Sequence, residues 1–188
     1  MSTLTRLGKF LSVEKRRILY KSFVESQIKY CPLIWMFRSR QSNNKINRLH
    51  ERALRLVYDD YETSFDGLLE KDKSFSIHHQ NIQALAIEIY KILHGLTQSG
   101  LNNLFVRASD SHSLRSNSDL LIPSVNTVLN GSNSLRYFGS VIWNSIPITI
   151  RELEPLSLFK SKIKKWKPDS CECRLCRNYI EGVGFCEI

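Results

Sequence analysis

Apolar side chains at helical spacing dominate the segment that runs from an N-cap at Ser42 or Asn43 to Tyr58. They are Ile46, Leu49, Ala53, Leu56 and Val57. Steps of three and four residues place such side chains on one face of an α-helix, and that face must be buried against other elements. The segment is the strongest helix prediction in the chain, and it favours a mainly α fold.

The same spacing predicts further helices along the chain. Ser12 caps a predicted helix over Val13–Lys29, whose apolar side chains are Ile18, Leu19, Phe23, Val24 and Ile28. Pro32 ends or restarts it, and a short apolar run from Leu33 to Phe37 is predicted to be buried. Later helices are predicted at Ser64–Glu70, from Ser76 to about His94 with Leu96 on its apolar face, at Ser134–Ser145, and at Leu156–Trp166.

A polar stretch divides these helices into two groups. Residues 97–103 and 108–119 are dense in Ser, Asn and Asp, as in a linker and loop. Leu120–Ile122 and Val125–Leu129, before Asn130-Gly131, are predicted to be short strands with a turn. We therefore predict a helical region at 1–96, a linker at 97–119, a small α+β segment at 120–167 and a Cys-rich tail at 168–188.

The formal net charge of +9 is concentrated near the N-terminus. Residues 1–60 hold 13 Lys and Arg against 5 Asp and Glu, which is a net +8, whereas residues 61–150 carry −1 and residues 151–188 carry +2. A polyanion should therefore meet the first third of the chain. A nucleic-acid backbone is the commonest such partner, followed by acidic protein surfaces and anionic lipid, while the alternative is a solubilising surface.

Four cations recur at steps of three and four along the segment that ends at Tyr58: Lys45, Arg48, Arg52 and Arg55. At about 100° per residue they line one strip of roughly 15 Å, long enough for two or three phosphates. Within the helix Glu51 is the one acidic residue, so we expect a strip that is not neutralised locally. The alternative is a solvated face. Lys160, Lys164 and Lys165 of the last helix, with Lys167, form a second and weaker basic patch.

The five cysteines are Cys31 and a C-terminal cluster, which does not resemble a secreted disulfide framework and favours an intracellular protein. Cys171, Cys173, Cys176 and Cys186 could hold Zn²⁺, although the Cys-x-Cys-x-x-Cys spacing departs from the usual paired motif. The alternative is reduced thiols in a frayed tail. Cys31, beside Pro32 and apolar residues, is predicted to be a buried inert thiol. Neither a membrane-spanning run nor a signal-peptide pattern is present, so we expect no membrane partner.

Tyr58-Asp59-Asp60 resembles the aspartate pair of a polymerase palm. Two-metal catalysis needs a further aspartate on an adjacent strand, yet residues 1–56 contain none and the preceding segment is helical. We interpret the pair as a polar helix terminus and turn, and we assign no catalytic residue. The histidines lack partners at a diagnostic spacing and are interpreted as structural or exposed.

An ordered series of strings runs along the chain: Tyr30–Met36, Asn47–Arg55, Leu68–Asp72, Ser76–His79, Ile142–Pro147, Phe159–Pro168, Cys171–Cys176 and Tyr179-Ile180. In that order they resemble the C-terminal part of reverse transcriptases from jockey-like non-LTR retrotransposons. The resemblance implies a helical thumb-like bundle and the segment after it, without the fingers and palm that hold the polymerase chemistry. Its implied partners are a primer–template duplex or RNA–DNA hybrid and the missing palm and fingers. Alternatively, the chain is an inert or protein-interaction remnant of a truncated element.

Overall fold

The computed structural model describes residues 6, 10–37, 40–108, 119–127, 131 and 134–166. Their secondary structure is helical, with no strand, so the predicted mainly α class is confirmed for this part of the chain. The α-helices are α1 (Val13–Tyr20), α2 (Ser26–Ile28), α3 (Pro32–Trp35), α4 (Arg40–Tyr58), α5 (Phe65–Asp72), α6 (Ile77–Leu93), α7 (Leu135–Ser145), α8 (Ile148–Arg151) and α9 (Leu156–Ile163). A π-helical turn (Lys21–Glu25) joins α1 to α2, and a 3₁₀ turn covers Ser99–Leu101.

The described residues form two compact units, one up to Asn81 and one from Ile82 onward. The boundary falls inside α6, a helix that the sequence prediction kept within one region. The predicted regions at 1–96, 97–119, 120–167 and 168–188 rest on composition rather than on contacts, and they stay a prediction.

The core of the first unit is built from α1, α4 and α5. Its buried residues are Tyr20, Ala53, Leu54, Val57, Phe65, Leu68 and Leu69. Ser64, the first residue of the predicted Ser64–Glu70 helix, instead caps α5 by accepting a hydrogen bond from the Gly67 N–H. Burial of each large apolar side chain in such a core contributes about 1.5–3 kcal/mol.

The inward face of α4 differs from the prediction in its first half. Ile46, Leu49 and Leu56 are half-buried, whereas Asn43, Asn47 and His50 are buried. The Asn43 side-chain amide donates to the Met36 carbonyl at 3.0 Å, which offsets the cost of burying that polar group. The core-facing strip of α4 is therefore polar toward its N-terminus and apolar toward its C-terminus.

The segment over residues 13–28 is helical, as predicted, but part of its inward face was predicted wrongly. Tyr20 and Ile28 are buried and Val24 is half-buried, while Ile18 and Phe23 are exposed. This segment carries apolar residues on two sides, and a periodicity analysis cannot tell which side meets the core. The π-helical turn, where the Ser26 N–H donates to the Lys21 carbonyl five residues earlier, adds a further shift in register.

The second unit packs α7 and α9 against the part of α6 that belongs to it. Tyr90 and Phe159 stack with ring centroids 4.3 Å apart, and the Trp143 ring lies 6.0 Å from Phe159. The Gln83 amide donates to the carbonyls of Lys164 and Trp166, just beyond the end of α9. Because α9 ends at Ile163, it is three residues shorter than predicted.

The predicted hairpin is not confirmed. Leu120 makes one isolated antiparallel bridge with Arg107, and Leu121 and Ile122 are exposed rather than packed in a sheet. Residues 128–130 lie outside the described part of the chain. The side-chain amide of Asn144 takes the place of a neighbouring strand, since its Oδ1 accepts from the Leu120 N–H at 2.8 Å and its Nδ2 donates to the Leu120 carbonyl at 2.9 Å.

The end of α6 is also partly different from its prediction. Gly95, at φ 65, follows the helix in the left-handed conformation that glycine adopts without strain. Leu96 was predicted on the apolar face of this helix, but it lies beyond the turn and is exposed. Every helix in the described ranges falls short of the length and apolarity that a membrane-spanning segment requires.

Candidate nucleic-acid interface

The predicted basic strip lies on the outer side of α4. Lys45, Arg48 and Arg52 are exposed, and Arg55 is half-buried. At about 100° per residue, Lys45 and Arg52 lie nearly opposite His50 and Leu54, which are buried in the core of the first unit. The helix therefore buries one face and turns its cations away from it.

Arg55 is neutralised by its own helix. Its Nε and Nη2 donate to Glu51 Oε1 at 3.2 and 2.8 Å, as expected for opposite charges four residues apart. Its Nη1 is buried without a hydrogen-bond partner among the described residues. The expectation that the strip escapes local neutralisation is therefore wrong for Arg55.

The remaining strip consists of Lys45, Arg48 and Arg52. Within the described ranges no carboxylate lies at ion-pair distance from Lys45 or Arg52. Seven residues at 1.5 Å per residue separate Lys45 from Arg52, so their charges are spaced by about 10 Å along the axis. Along one strand of B-DNA a phosphate charge recurs every 3.4 Å of helix axis. Two cations about 10 Å apart can therefore contact two phosphates that lie about three steps apart on one strand.

The second predicted patch belongs to α9 and the turn after it, in the other unit. Lys160 is half-buried, and Lys164 and Lys165 are exposed. Lys162, which the sequence analysis did not select, is exposed as well. Lys167 lies outside the described residues. The hydrogen bonds from Gln83 to the Lys164 and Trp166 carbonyls hold the backbone of this turn.

The four cysteines of the predicted zinc site, Cys171, Cys173, Cys176 and Cys186, all lie outside the described residues, and Zn²⁺ binding there stays a prediction. In the part of the chain that is described, no cluster of three His, Cys, Asp or Glu side chains is arranged to hold a metal ion. The prediction for Cys31 is wrong. It is exposed, because the chain turns through a left-handed conformation there, with φ 45, before α3 begins.

The Asp59-Asp60 pair forms the helix terminus and turn that the sequence predicts. Asp59 has φ 53 and ends α4. The Asp60 carboxylate accepts hydrogen bonds from the backbone N–H and the hydroxyl of Thr63 and pairs with Lys71 at 2.7 Å. The Lys71 and Thr63 hydrogen bonds hold the pKa of Asp60 well below its usual range. The contacts of the Asp60 carboxylate with Thr63 and Lys71 therefore stabilise the turn after α4.

Sequence reasoning missed a buried polar cluster in the first unit. The Tyr20 hydroxyl and His50 Nδ1 are hydrogen bonded, and the His50 ring meets Phe65 edge-on at 5.7 Å. Burial lowers the pKa of His50 to about 4. Burial, with the nearby Glu25 carboxylate, raises the pKa of Tyr20. His50 was interpreted as structural or exposed, and the structural interpretation holds. The polar spacing of Asn43, Asn47 and His50 was the available signal.

Comparison of the chain with models of known protein families, with curated proteins and with solved structures found no match.

Proposed function

We propose that the chain binds nucleic-acid duplex through the exposed cations of α4, as the thumb-like part of a retrotransposon reverse transcriptase whose palm and fingers are absent here. The observation that carries the proposal is the exposure of Lys45 and Arg52 on the face of α4 opposite the core. Arg48 lies between them on the same side. The role is one of binding, and no residue is assigned a catalytic part.

The chemistry of this strip suits a backbone rather than a particular base sequence. Contact with phosphates releases condensed counterions, so the affinity for duplex should fall as the salt concentration rises. Contacts to phosphates carry no sequence information by themselves, which makes sequence-indifferent binding the expected mode. The ordered resemblance to a reverse transcriptase favours a primer–template duplex or an RNA–DNA hybrid as the ligand.

A fluorescence titration with a labelled blunt duplex at several salt concentrations between about 50 and 200 mM tests the proposal. The double variant Lys45→Gln/Arg52→Gln should reduce the slope of log K against log salt by about 0.9 for each lost phosphate contact. Lys73→Gln/Arg136→Gln is the matched control, since it removes one exposed Lys and one exposed Arg from other elements. Equal slopes of log K against log salt for the two double variants would contradict the assignment of the duplex interface to α4.

A second candidate function is protein interaction. The observation that favours it is the exposure of Ile18, Phe23, Tyr30 and Ile34 in the first unit. A protein surface of this type should self-associate or capture a partner by apolar contact, with little dependence on salt. Concentration-dependent association in analytical ultracentrifugation, combined with no affinity for duplex, would favour this function over the first.

A further inference from the structure

The imidazole ring of His50 is fully buried in the first unit. Its Nδ1 is hydrogen bonded to the Tyr20 hydroxyl, and the Phe65 ring meets it edge-on with centroids 5.7 Å apart. Among the described residues, His50 Nε2 has no hydrogen-bond partner. A second proton on the ring would therefore place a full charge in a site that supplies no acceptor for the Nε2 N–H, which is a costly state in a protein interior.

The charged groups that act on His50 come from three places around it. Glu25 of the π-helical turn and Asp72 at the end of α5 favour the protonated ring, and Lys29, just beyond α2, opposes it. Lys29 pairs with Glu25 at 2.9 Å, and Arg17 pairs with Asp72 at 2.5 Å. Burial outweighs the two carboxylates and lowers the pKa of His50 to about 4. The folded unit therefore holds the neutral imidazole.

The first helix is attached to its neighbours by different contacts before and after Tyr20. Arg16 Nη1 donates to the Leu56 carbonyl of α4 at 3.1 Å, and Arg17 forms an ion pair with the carboxylate at the end of α5. Among the described residues from 20 to 28, Tyr20 is the one that hydrogen bonds to another helix, through its contact with His50. This contact is thus the polar link that holds the 20–28 segment to α4.

The 20–28 segment is also irregular in its backbone. The π-helical turn (Lys21–Glu25) follows Tyr20 directly, and turns of this kind interrupt the regular α-helical pattern and occur frequently at functional sites. Val24 packs half-buried against the core of the first unit, and Ile28 is buried. Separation of this segment from α4 therefore breaks apolar contacts and one hydrogen bond, whereas the ion pair of α1 with α5 can stay intact.

We propose that the contact between Tyr20 and His50 is a pH-sensitive switch that controls whether residues 20–28 pack against α4. Water stabilises an imidazolium ion and the closed core excludes water, so protonation of His50 favours the separated form. The segment is packed at a pH above about 6.5 and separates increasingly as the pH falls toward 4, while Arg16 and Arg17 keep the preceding part of α1 attached. His50 lies on the face of α4 opposite Lys45 and Arg52, so the switch does not depend on the proposed duplex interface.

Hydrogen exchange of the full chain, followed by mass spectrometry at pH 7.5 and pH 5 and corrected for the intrinsic effect of pH, tests the switch. The protection of backbone amides in residues 20–28 should fall about 30-fold at pH 5, the factor that follows from a pKa of about 4 in the folded unit and 6.5 in the separated form. Urea below about 1 M should leave this exchange nearly unchanged and accelerate exchange of residues 53–57, because local separation exposes little surface. Equal urea dependence of the two segments would overturn the proposal in favour of unfolding of the whole unit.

The variant His50→Gln keeps a polar side chain at this position but removes its titration. Protection of residues 20–28 should then agree between the two pH values within about twofold. His94→Gln removes a histidine of the second unit and is the matched control, which should retain the full change with pH. A pH dependence that persists in His50→Gln would belong to Glu25 or Asp72, and the proposed role of His50 would be wrong.

The variant Tyr20→Phe tests the same contact from the other helix, and it does so even if His50→Gln fails to fold. It keeps an aromatic ring in the core but leaves His50 Nδ1 without the hydroxyl. At pH 7.5 the protection of residues 20–28 should fall at least about fivefold, as the loss of one buried hydrogen bond predicts. Tyr61→Phe, which removes the hydroxyl of an exposed ring, is the control. Equal protection in the two variants would show that the hydroxyl does not hold the segment, which would refute the switch.

Discussion

Arg17 Nε lies 2.5 Å from Asp72 Oδ1, and Arg17 Nη2 donates to the Asp72 backbone carbonyl at 2.6 Å. The Tyr58 hydroxyl donates to the same Oδ1 at 2.8 Å. One buried carboxylate therefore joins α1, α4 and α5. Burial opposes the ionised form of Asp72, but the hydrogen bonds from Arg17 and Tyr58 outweigh it and hold the pKa of Asp72 below its usual range.

Asp72→Asn should lower the free energy of unfolding by about 2 kcal/mol, because the neutral amide leaves Arg17 without its counter-charge. The figure is smaller than for a fully buried ion pair because the Arg17 side chain is 38% exposed. Urea unfolding followed by circular dichroism measures the change. Asp66→Asn, an exposed residue of the same helix, is the control and should stay within about 0.5 kcal/mol of the parent. Equal effects would contradict the assigned role of Asp72.

His50 should make stability depend on pH. Its folded-state pKa of about 4 lies below the ordinary value of 6.5, so folding favours the neutral imidazole. This stabilisation is complete above about pH 6.5 and is lost as the pH falls toward 4, amounting to about 2 kcal/mol between pH 7.5 and pH 5. Urea unfolding of the parent and of His50→Gln at both pH values measures it. An identical loss in the variant would assign the pH dependence to other groups.

Glu51→Gln should tighten duplex binding. The substitution removes a carboxylate beside the strip and releases Arg55, so the salt slope should rise by about 0.9 if Arg55 then meets a phosphate. Glu62→Gln, an exposed residue of the turn after α4, changes the net charge equally and is the control in the same titration. Matching affinities for the two variants would show that overall charge, and not the Arg55–Glu51 pair, sets the binding.

Gly139→Ala should destabilise the second unit. A Cβ at this position would stand 2.8 Å from Phe105 Cε1 and 3.2 Å from Ile89 Cδ1, inside a packed core. Overpacking of this kind costs about 1–3 kcal/mol, which exceeds the gain of about 1 kcal/mol from the better helix propensity of alanine. Thermal unfolding measures the difference. Gly100→Ala, where nothing lies within 4 Å, should leave the melting temperature nearly unchanged.

The sequence could predict where helices form, because the repeat of apolar residues in α4, α6, α7 and α9 depends on local spacing. It could not predict which face is buried where two faces are apolar, as with Ile18 and Phe23 against Tyr20. That choice depends on the shape of the helices that pack against the segment. The exposure of Cys31 depends on a left-handed turn whose residue type gives no warning.

The candidate site, like the fold, could be predicted from the sequence only in part. The strip on α4 could be placed from spacing alone, and the i, i+4 relation of Glu51 to Arg55 was also visible in the sequence as a signal for neutralisation. The Tyr20–His50 and Arg17–Asp72 pairs join residues 30 and 55 positions apart. Such contacts arise only from the tertiary fold, so no local pattern could have indicated them.

The side chain of Asn144 has a further consequence for the extended segment around Leu120. Both backbone groups of Leu120 are occupied by Asn144, while the Asp119 carbonyl accepts from the Ala108 N–H and the Leu121 N–H donates to Val106. No hydrogen-bonding group of Leu120 is left to recruit a strand from another molecule. The backbone of Leu120 is thereby closed to the edge-to-edge pairing through which proteins aggregate.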